Sequence, residues 1–382
     1  MLPLLELDAL PVWNGPADRP GGSAVRPFAL GWDPAGFVRQ TTDPAIVAEV
    51  IGGYAADGYT HATKPPGLSA WATRLGEDRI ALVSGHFPAL AGKRFLEVGG
   101  GTTYVGERLI RDFGVAQYVV VDPALKAGPG LPENLRVVAD YFGPDMAETW
   151  NVDGVFGFHV FEHLPDPIAF LEVARRAVAG SNGQIAIAFP DCEGDMANGT
   201  PGAYIHEHIS YFTDATARAL FARAALVVRH FENRGGVLAY VLAPQGNALP
   251  AAAVAPSPEA ATLGKRFRQF IEAARTRFEA VIAGGGKIHI HGATNATNTM
   301  MYLLGQRIAS NAVVFDGDDS KAGRFLPWVS EPIRRASDPS YADAGEIFVA
   351  VPGYFDEIRA AAVQRHGLKI DRVHRLEQIA AF

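Results

Sequence analysis

From residue 93 onward, short apolar runs alternate with amphipathic stretches. The runs 94–98, 118–121, 135–138, 154–158 and 184–189 have strand length, and helical spacing fills 104–112 and 167–178 between them. Strands alternating with helices predict βαβ units around a parallel sheet. Runs 226–232 and 236–242, joined across Asn233-Arg234-Gly235, predict an antiparallel hairpin that closes it. Ahead of this region, residues 1–45 are rich in Pro and Gly and read as an irregular arm holding Trp13 and Trp32. A helix is expected to start near Pro44 and another to span 68–90. Beyond the hairpin, Pro244, Pro250, Pro256 and Pro258 mark a linker. A long amphipathic helix follows over 259–282, ending at Gly284-Gly285-Gly286. A second alternation then predicts strands at 287–291, 312–315 and 346–351 and helices at 298–304 and 356–364. The expected class is α/β, a Rossmann-like domain followed by a second, smaller α/β domain. The divisions fall at 1–92 (arm and helical segment), 93–243, a linker over 244–258, and 259–382.

Composition narrows the functions open to such a chain. With 34 Lys+Arg against 41 Asp+Glu, the 382 residues carry a formal net charge of -7, and nothing concentrates positive charge for a nucleic-acid backbone. No apolar run reaches the ~18 residues of a membrane span. The first residues lack a basic region and do not resemble a signal peptide. A single cysteine, Cys192, excludes an intrachain disulfide. These features predict a cytoplasmic enzyme of small molecules, monomeric or homodimeric, with no nucleic-acid or membrane partner.

Phe95-Leu96-Glu97-Val98-Gly99-Gly100-Gly101 runs an apolar strand into a glycine loop and then a helix. Glycines there let backbone approach a ligand without an intervening Cβ. Dinucleotide enzymes also use such a loop, but their fingerprints have no acid where Glu97 stands. Asp122 ends the next strand, suited to a ribose diol. Asp140 and Tyr141 follow the third, with an acid for an adenine amino group and a ring to stack on it. Glu97, Gly99, Gly101, Asp122, Asp140 and Tyr141 stand where class I methyltransferases hold S-adenosylmethionine. His159 and Tyr59 complete the expected cofactor contacts.

Two later segments carry the remaining polar chemistry: His159-Val160-Phe161-Glu162-His163 after the fourth strand, and Tyr204-Ile205-His206-Glu207-His208 after the fifth. Ligands of open α/β sheets bind at these carboxyl ends. On a strand, His206 and His208 would share a face and could hold a metal. Acid–base use is the more economical reading, because methyl transfer needs only a proton acceptor beside the nucleophile. No metal is therefore expected.

With these motifs the chain resembles the nucleotide-sugar C-methyltransferase family, over roughly residues 50–380. The likeness rests on the glycine loop, Ala139-Asp140-Tyr141-Phe142, Val160-Phe161-Glu162-His163 and His206-Glu207-His208-Ile209-Ser210-Tyr211-Phe212. It extends to His291-Gly292-Ala293-Thr294-Asn295-Ala296-Thr297-Asn298 and to the stretch from Asp316 through Lys321 and Arg324 to Pro327. The resemblance implies that His208, supported by Glu207, removes a proton beside a sugar ketone, and that His163 positions the sugar oxygens. Tyr204 and His206 are the further catalytic candidates. Asn295, Asn298, Lys321 and Arg324 would contact a nucleotide-linked keto-deoxysugar. Members usually open with a Cys-rich zinc module, which this chain lacks, and have Tyr where Ile205 stands and Asn where His159 stands. The alternatives are O- or N-transfer to another sugar or small molecule, a dinucleotide oxidoreductase, and a non-catalytic binding protein.

Overall fold

The structure, a computed structural model, describes residues 1–56, 65–149, 151–246 and 255–381. The expected irregular arm is instead a β-meander of β1 (Leu2–Pro11), β2 (Val25–Asp33) and β3 (Phe37–Gln40). Its prolines are tolerated for a positional reason. Pro3 and Pro11 lie on the edge strand, and β2 pairs with β3 only from Leu30 to Asp33, leaving Pro27 on its one-sided part. Leu5, Leu10, Phe28, Leu30, Trp32 and Val38 form the buried face of the meander. Then come α1 (Pro44–Ala56) and α2 (Ala70–His86), the latter capped by Ser69, whose hydroxyl accepts from the Ala72 N–H.

The chain continues through β4 (Arg94–Val98), α3 (Tyr104–Phe113), β5 (Gln117–Val121), β6 (Leu135–Val138), α4 (Pro144–Thr149) and β7 (Gly154–Phe158). Next are α5 (Pro167–Ala179), β8 (Gln184–Pro190), α6 (Glu193–Asn198), β9 (Ser210–Tyr211), α7 (Asp214–Arg223), β10 (Leu226–Arg234) and β11 (Val237–Pro244). The five expected strands and the hairpin are present to within two residues, the hairpin turning at Gly235-Gly236. They form a seven-stranded sheet in the order β10-β11-β8-β7-β4-β5-β6, parallel except where β11 meets β8 and β10. Alternate side chains cover its two faces. Leu96 and Val98 meet Phe170 and Leu171 of α5 and Leu220 and Phe221 of α7. Phe95 and Val120 face Ile80 and Val83 of α2 and Val105 and Leu109 of α3.

Strand order reverses at β4. The chain steps outward to β5 and β6 and then returns to β7 on the other side. The carboxyl ends of β4 and β7 therefore flank the topological switch point, the crevice where open α/β sheets take ligands. β9 leaves this sheet altogether and pairs with β3 of the N-terminal meander.

The third unit begins with α8 (Pro258–Ala283); the expected linker lies partly outside the described residues, at 247–254. β12 (Ile288–His291), α9 (Asn295–Leu304), α10 (Gln306–Ala309), β13 (Ala312–Asp316), β14 (Arg334–Arg335), β15 (Ile347–Val349), α11 (Phe355–His366) and β16 (Val373–Arg375) follow. Their sheet is wholly parallel, in the order β14-β13-β12-β15-β16. α9 starts earlier than its apolar spacing predicts because Thr294 caps it, accepting from Thr297 N–H. No described helix is long and apolar enough to cross a membrane.

α3 can lie close on the sheet because Gly106 has no side chain: a Cβ there would stand 2.5 Å from the Tyr118 ring. Gly106→Ala should lower the unfolding free energy by about 1–3 kcal/mol through overpacking, despite alanine's better helix propensity. Urea denaturation checks this. An unchanged or higher midpoint contradicts the close approach.

Candidate active site at the sheet's switch point

The glycine loop leaves β4 with Gly99 and Gly101 at positive φ, 65° and 62°. A Cβ on Gly99 would stand 2.7 Å from Val160 Cγ2, so that glycine lets the loops after β4 and β7 touch. Asp122, 1% exposed, braces the loop: its Oδ2 accepts from Gly101 N–H at 2.9 Å and its Oδ1 from Ala124 and Leu125 N–H. Glu97 is equally buried. Its Oε2 accepts from the Tyr118 hydroxyl at 2.8 Å, while Oε1 has no hydrogen-bond partner among the described residues. Burial pushes the Glu97 carboxyl up to about 7, against the opposing pull of Arg79 and the Tyr118 hydrogen bond. Asp140 and Tyr141 are exposed beyond β6, where the Asp140 carboxylate accepts from the Tyr141 N–H. Phe142 turns the other way and packs on Phe170. Tyr59 lies outside the described residues. A cradle of positive-φ glycines with a buried unpartnered carboxylate oxygen fits a nucleoside cofactor, which Gly99, Gly101, Asp122 and Glu97 would hold.

Beyond β7, His159 takes a left-handed conformation, φ 55°, unusual for a residue with a Cβ. Its Nδ1 stands 3.4 Å from Glu162 Oε1, so it pairs with a carboxylate rather than a loop carbonyl. Glu162 is 3% exposed, and its other oxygen has no hydrogen-bond partner among the described residues. Burial alone would raise its carboxyl; the surrounding histidines, His159 first, hold it down at about 2.

The His206–His208 segment is a turn rather than a strand, which ends the expectation that His206 and His208 share a face. His206 is fully buried, its Nε2 on the Pro27 carbonyl at 3.2 Å and its ring edge-on to Phe28. Tyr204 is also fully buried, against Tyr211 and Phe267. Both belong to the core beneath the meander, not to the histidine junction, because the turn rotates successive side chains apart. His208 and His163 do converge, rings edge to face with centroids 5.0 Å apart. His208 Nδ1 donates to the Ala203 carbonyl at 3.1 Å and His163 Nδ1 to the Glu207 carbonyl at 2.8 Å. A carbonyl only accepts, so each Nδ1 carries a proton, and Nε2 is the nitrogen left to bear the lone pair of a neutral ring. Burial, with the His163 charge second, pushes His208 down to about 3. Glu207 supports this pair through its backbone. Its carboxylate is 2% exposed, has no hydrogen-bond partner among the described residues and is raised by burial to about 7.

Sequence reasoning passed over Gln40. Its side chain, 7% exposed, donates from Nε2 to the carbonyls of His206 at 3.0 Å and His208 at 2.7 Å, clamping the turn to the meander. Nothing local in the arm's sequence marks it; only the β3–β9 pairing brings it there. Asn295 spends its amide on the carbonyls of Pro201, Gly202 and Tyr204, which ties the C-terminal unit to the loop that leads to His208. Lys321 donates to Asp316 and the Ala293 carbonyl, and Arg324 pairs with Asp18 at 3.0 Å. Asn298 is fully buried, with neither side-chain polar atom partnered among the described residues. Of the four expected substrate contacts, Asn295 and Asn298 share the first turn of α9, Lys321 reaches the Ala293 carbonyl just before it, and Arg324 lies against Asp18; three of them have protein partners.

Residues 71–230 match the family described as a methyltransferase domain. With the sheet order, that match defines the class: the chain carries a class I methyltransferase domain, an enzyme whose methyl donor is S-adenosylmethionine. No curated protein sequence matches the chain significantly. Solved structures similar to it include the Haloferax volcanii complex of the Trm112 activator with a methyltransferase (16% identity, 51% of this chain and 97% of that one, TM-score 0.36). An S-adenosylmethionine dependent methyltransferase from Mesorhizobium loti shares 14% identity over 43% of this chain and 95% of its own, TM-score 0.34. The cyclopropane synthase MmaA2 from Mycobacterium tuberculosis shares 12% over 44% and 83%, TM-score 0.35.

Because the Glu97 carboxyl is raised above its unfolded value near 4.5, its contribution to stability is full below that pH and is lost as pH rises through about 7. Without cofactor, the wild type should lose melting temperature relative to Glu97→Gln between pH 4.5 and 8. Parallel melting curves across that window contradict the assignment.

Proposed function

We propose that this methyltransferase C-methylates a nucleotide-linked keto-deoxysugar, with His208 as the proton acceptor. The observation that carries the reading is the convergence of His163 and His208, each with its proton fixed on Nδ1, beside the glycine loop. S-adenosylmethionine, when bound, supplies an electrophilic methyl group on a sulfonium that departs without needing a proton. The chain's task is then confined to the acceptor. His208 Nε2 presents a lone pair to a carbon-bound proton, and a neighbouring ketone is required because an ordinary sugar C–H is far too weak an acid for imidazole. His163 Nε2 stands next to it to orient the sugar oxygens. The Glu162 carboxylate beside the pair favours the imidazolium that forms when His208 takes the proton. Glu207 acts through its carbonyl on His163. Tyr204 takes no direct part, since its hydroxyl is buried away from the pair. Asn295 acts by holding the loop, and Asn298 and Lys321 are the C-terminal groups proposed to meet the nucleotide.

Calorimetry with S-adenosylhomocysteine and, separately, a thymidine-diphosphate sugar tests both halves. Wild-type protein is expected to bind both. His208→Ala should lose turnover by at least 100-fold while its affinity for S-adenosylhomocysteine stays within about twofold. Binding of S-adenosylhomocysteine alone removes the sugar and favours an O- or N-acceptor. A parallel loss of cofactor affinity in His208→Ala contradicts the division of labour.

A further inference from the structure

Glu162, His163 and His208 also form a cluster whose donor set suits a metal ion, which methyl transfer itself does not need. One ligand atom from each of Glu162, His163 and His208 lies within 4.8 Å of the other two. We propose that these three side chains bind a divalent first-row transition-metal ion of the zinc class, and that an ion there silences the base rather than serving the reaction. Two imidazoles and one carboxylate are the donor set such ions favour, at about 2.0–2.2 Å from each donor, which places donors roughly 3.4 Å apart. Small side-chain rotations close the cluster to that spacing.

Three independent features point to a ligand. Glu162 Oε2 is buried and has no partner among the described residues, so a negative oxygen is held ready beside the two rings. Both histidines donate Nδ1–H to backbone carbonyls, Glu207 for His163 and Ala203 for His208. That is the outer-shell arrangement that fixes the tautomer and orients the ring of a metal-ligating histidine. Finally, the two loops are locked together by the Ile209 N–H on the Glu162 carbonyl at 2.8 Å and the Ser210 hydroxyl on the Leu164 carbonyl at 3.3 Å, so the donors are placed before an ion arrives. The inhibitory half rests on the proposed role of His208: coordination uses the Nε2 lone pair, and a metal-bound imidazole takes no proton from a substrate.

The test is titration of chelator-treated protein with Co²⁺, followed by visible absorption and calorimetry, with no substrate present. One equivalent per chain is expected, with affinity at least tenfold lower in Glu162→Gln and in His163→Gln, each checked for native circular dichroism. If either variant unfolds, His208→Ala carries the comparison. Absence of binding, or binding unchanged in every folded variant, overturns the site. Zn²⁺ should reduce turnover in proportion to occupancy and a chelator should restore it; a rise in turnover overturns the inhibitory half. Because Co²⁺ binding is read without substrate, failure of the sugar assignment leaves this result distinguishable.

Discussion

Two loops laced together through backbone carbonyls set the chemistry of this protein. The loop after β7 and the turn before β9 exchange the Glu162, Leu164 and Glu207 carbonyls for donors across the gap, and the last of these fixes the proton of His163. Ala203 does the same for His208. Charge-bearing side chains could perform this orientation, but they would change the protonation of the rings they hold. Neutral carbonyls fix each tautomer and leave Nε2 free. The Glu162 carboxylate, drawn close to the pair, is itself kept ionised by the histidines around it.

The rest of the molecule braces that junction from three sides. The seven-stranded sheet ends beneath it, with Gly99 letting the glycine loop touch Val160. The meander holds the turn through Gln40 and through pairing of Val38 with Tyr211. The C-terminal unit holds the preceding loop through Asn295, and half-buried Asp195 holds the same loop by accepting from Thr200. Burial of His206 and Tyr204 belongs to this bracing: they anchor the turn's inward side in the core so that His208 is left facing His163. Their identity in the motif is explained by packing as fully as by chemistry.

Much of this was legible in the sequence, for a physical reason. Buried parallel strands are continuous apolar runs, so β4 through β8 stood out with nearly correct ends, and the glycine loop marked the switch point. The meander was not legible, because its prolines are excused only by an edge position that exists once β1 and β2 have paired. Gln40 was hidden for the same reason: its partners lie more than 160 residues away. The His206-Glu207-His208 motif named the right segment but not the side chain facing the rings, since a turn's side-chain directions do not follow strand periodicity. Glu162 stood inside a recognised motif, yet its standing among three histidines follows from the fold.

Solvent deuterium exchange is the measurement that bears most directly on the central claim, that His208 is a base poised at a carbon beside a ketone. With S-adenosylhomocysteine in place of the methyl donor, the wild type should wash deuterium into that position of a thymidine-diphosphate keto-sugar, and Gln40→Ala should do so more slowly because its turn is no longer clamped. Exchange equal to the uncatalysed rate, in protein shown to bind both molecules, would contradict the account.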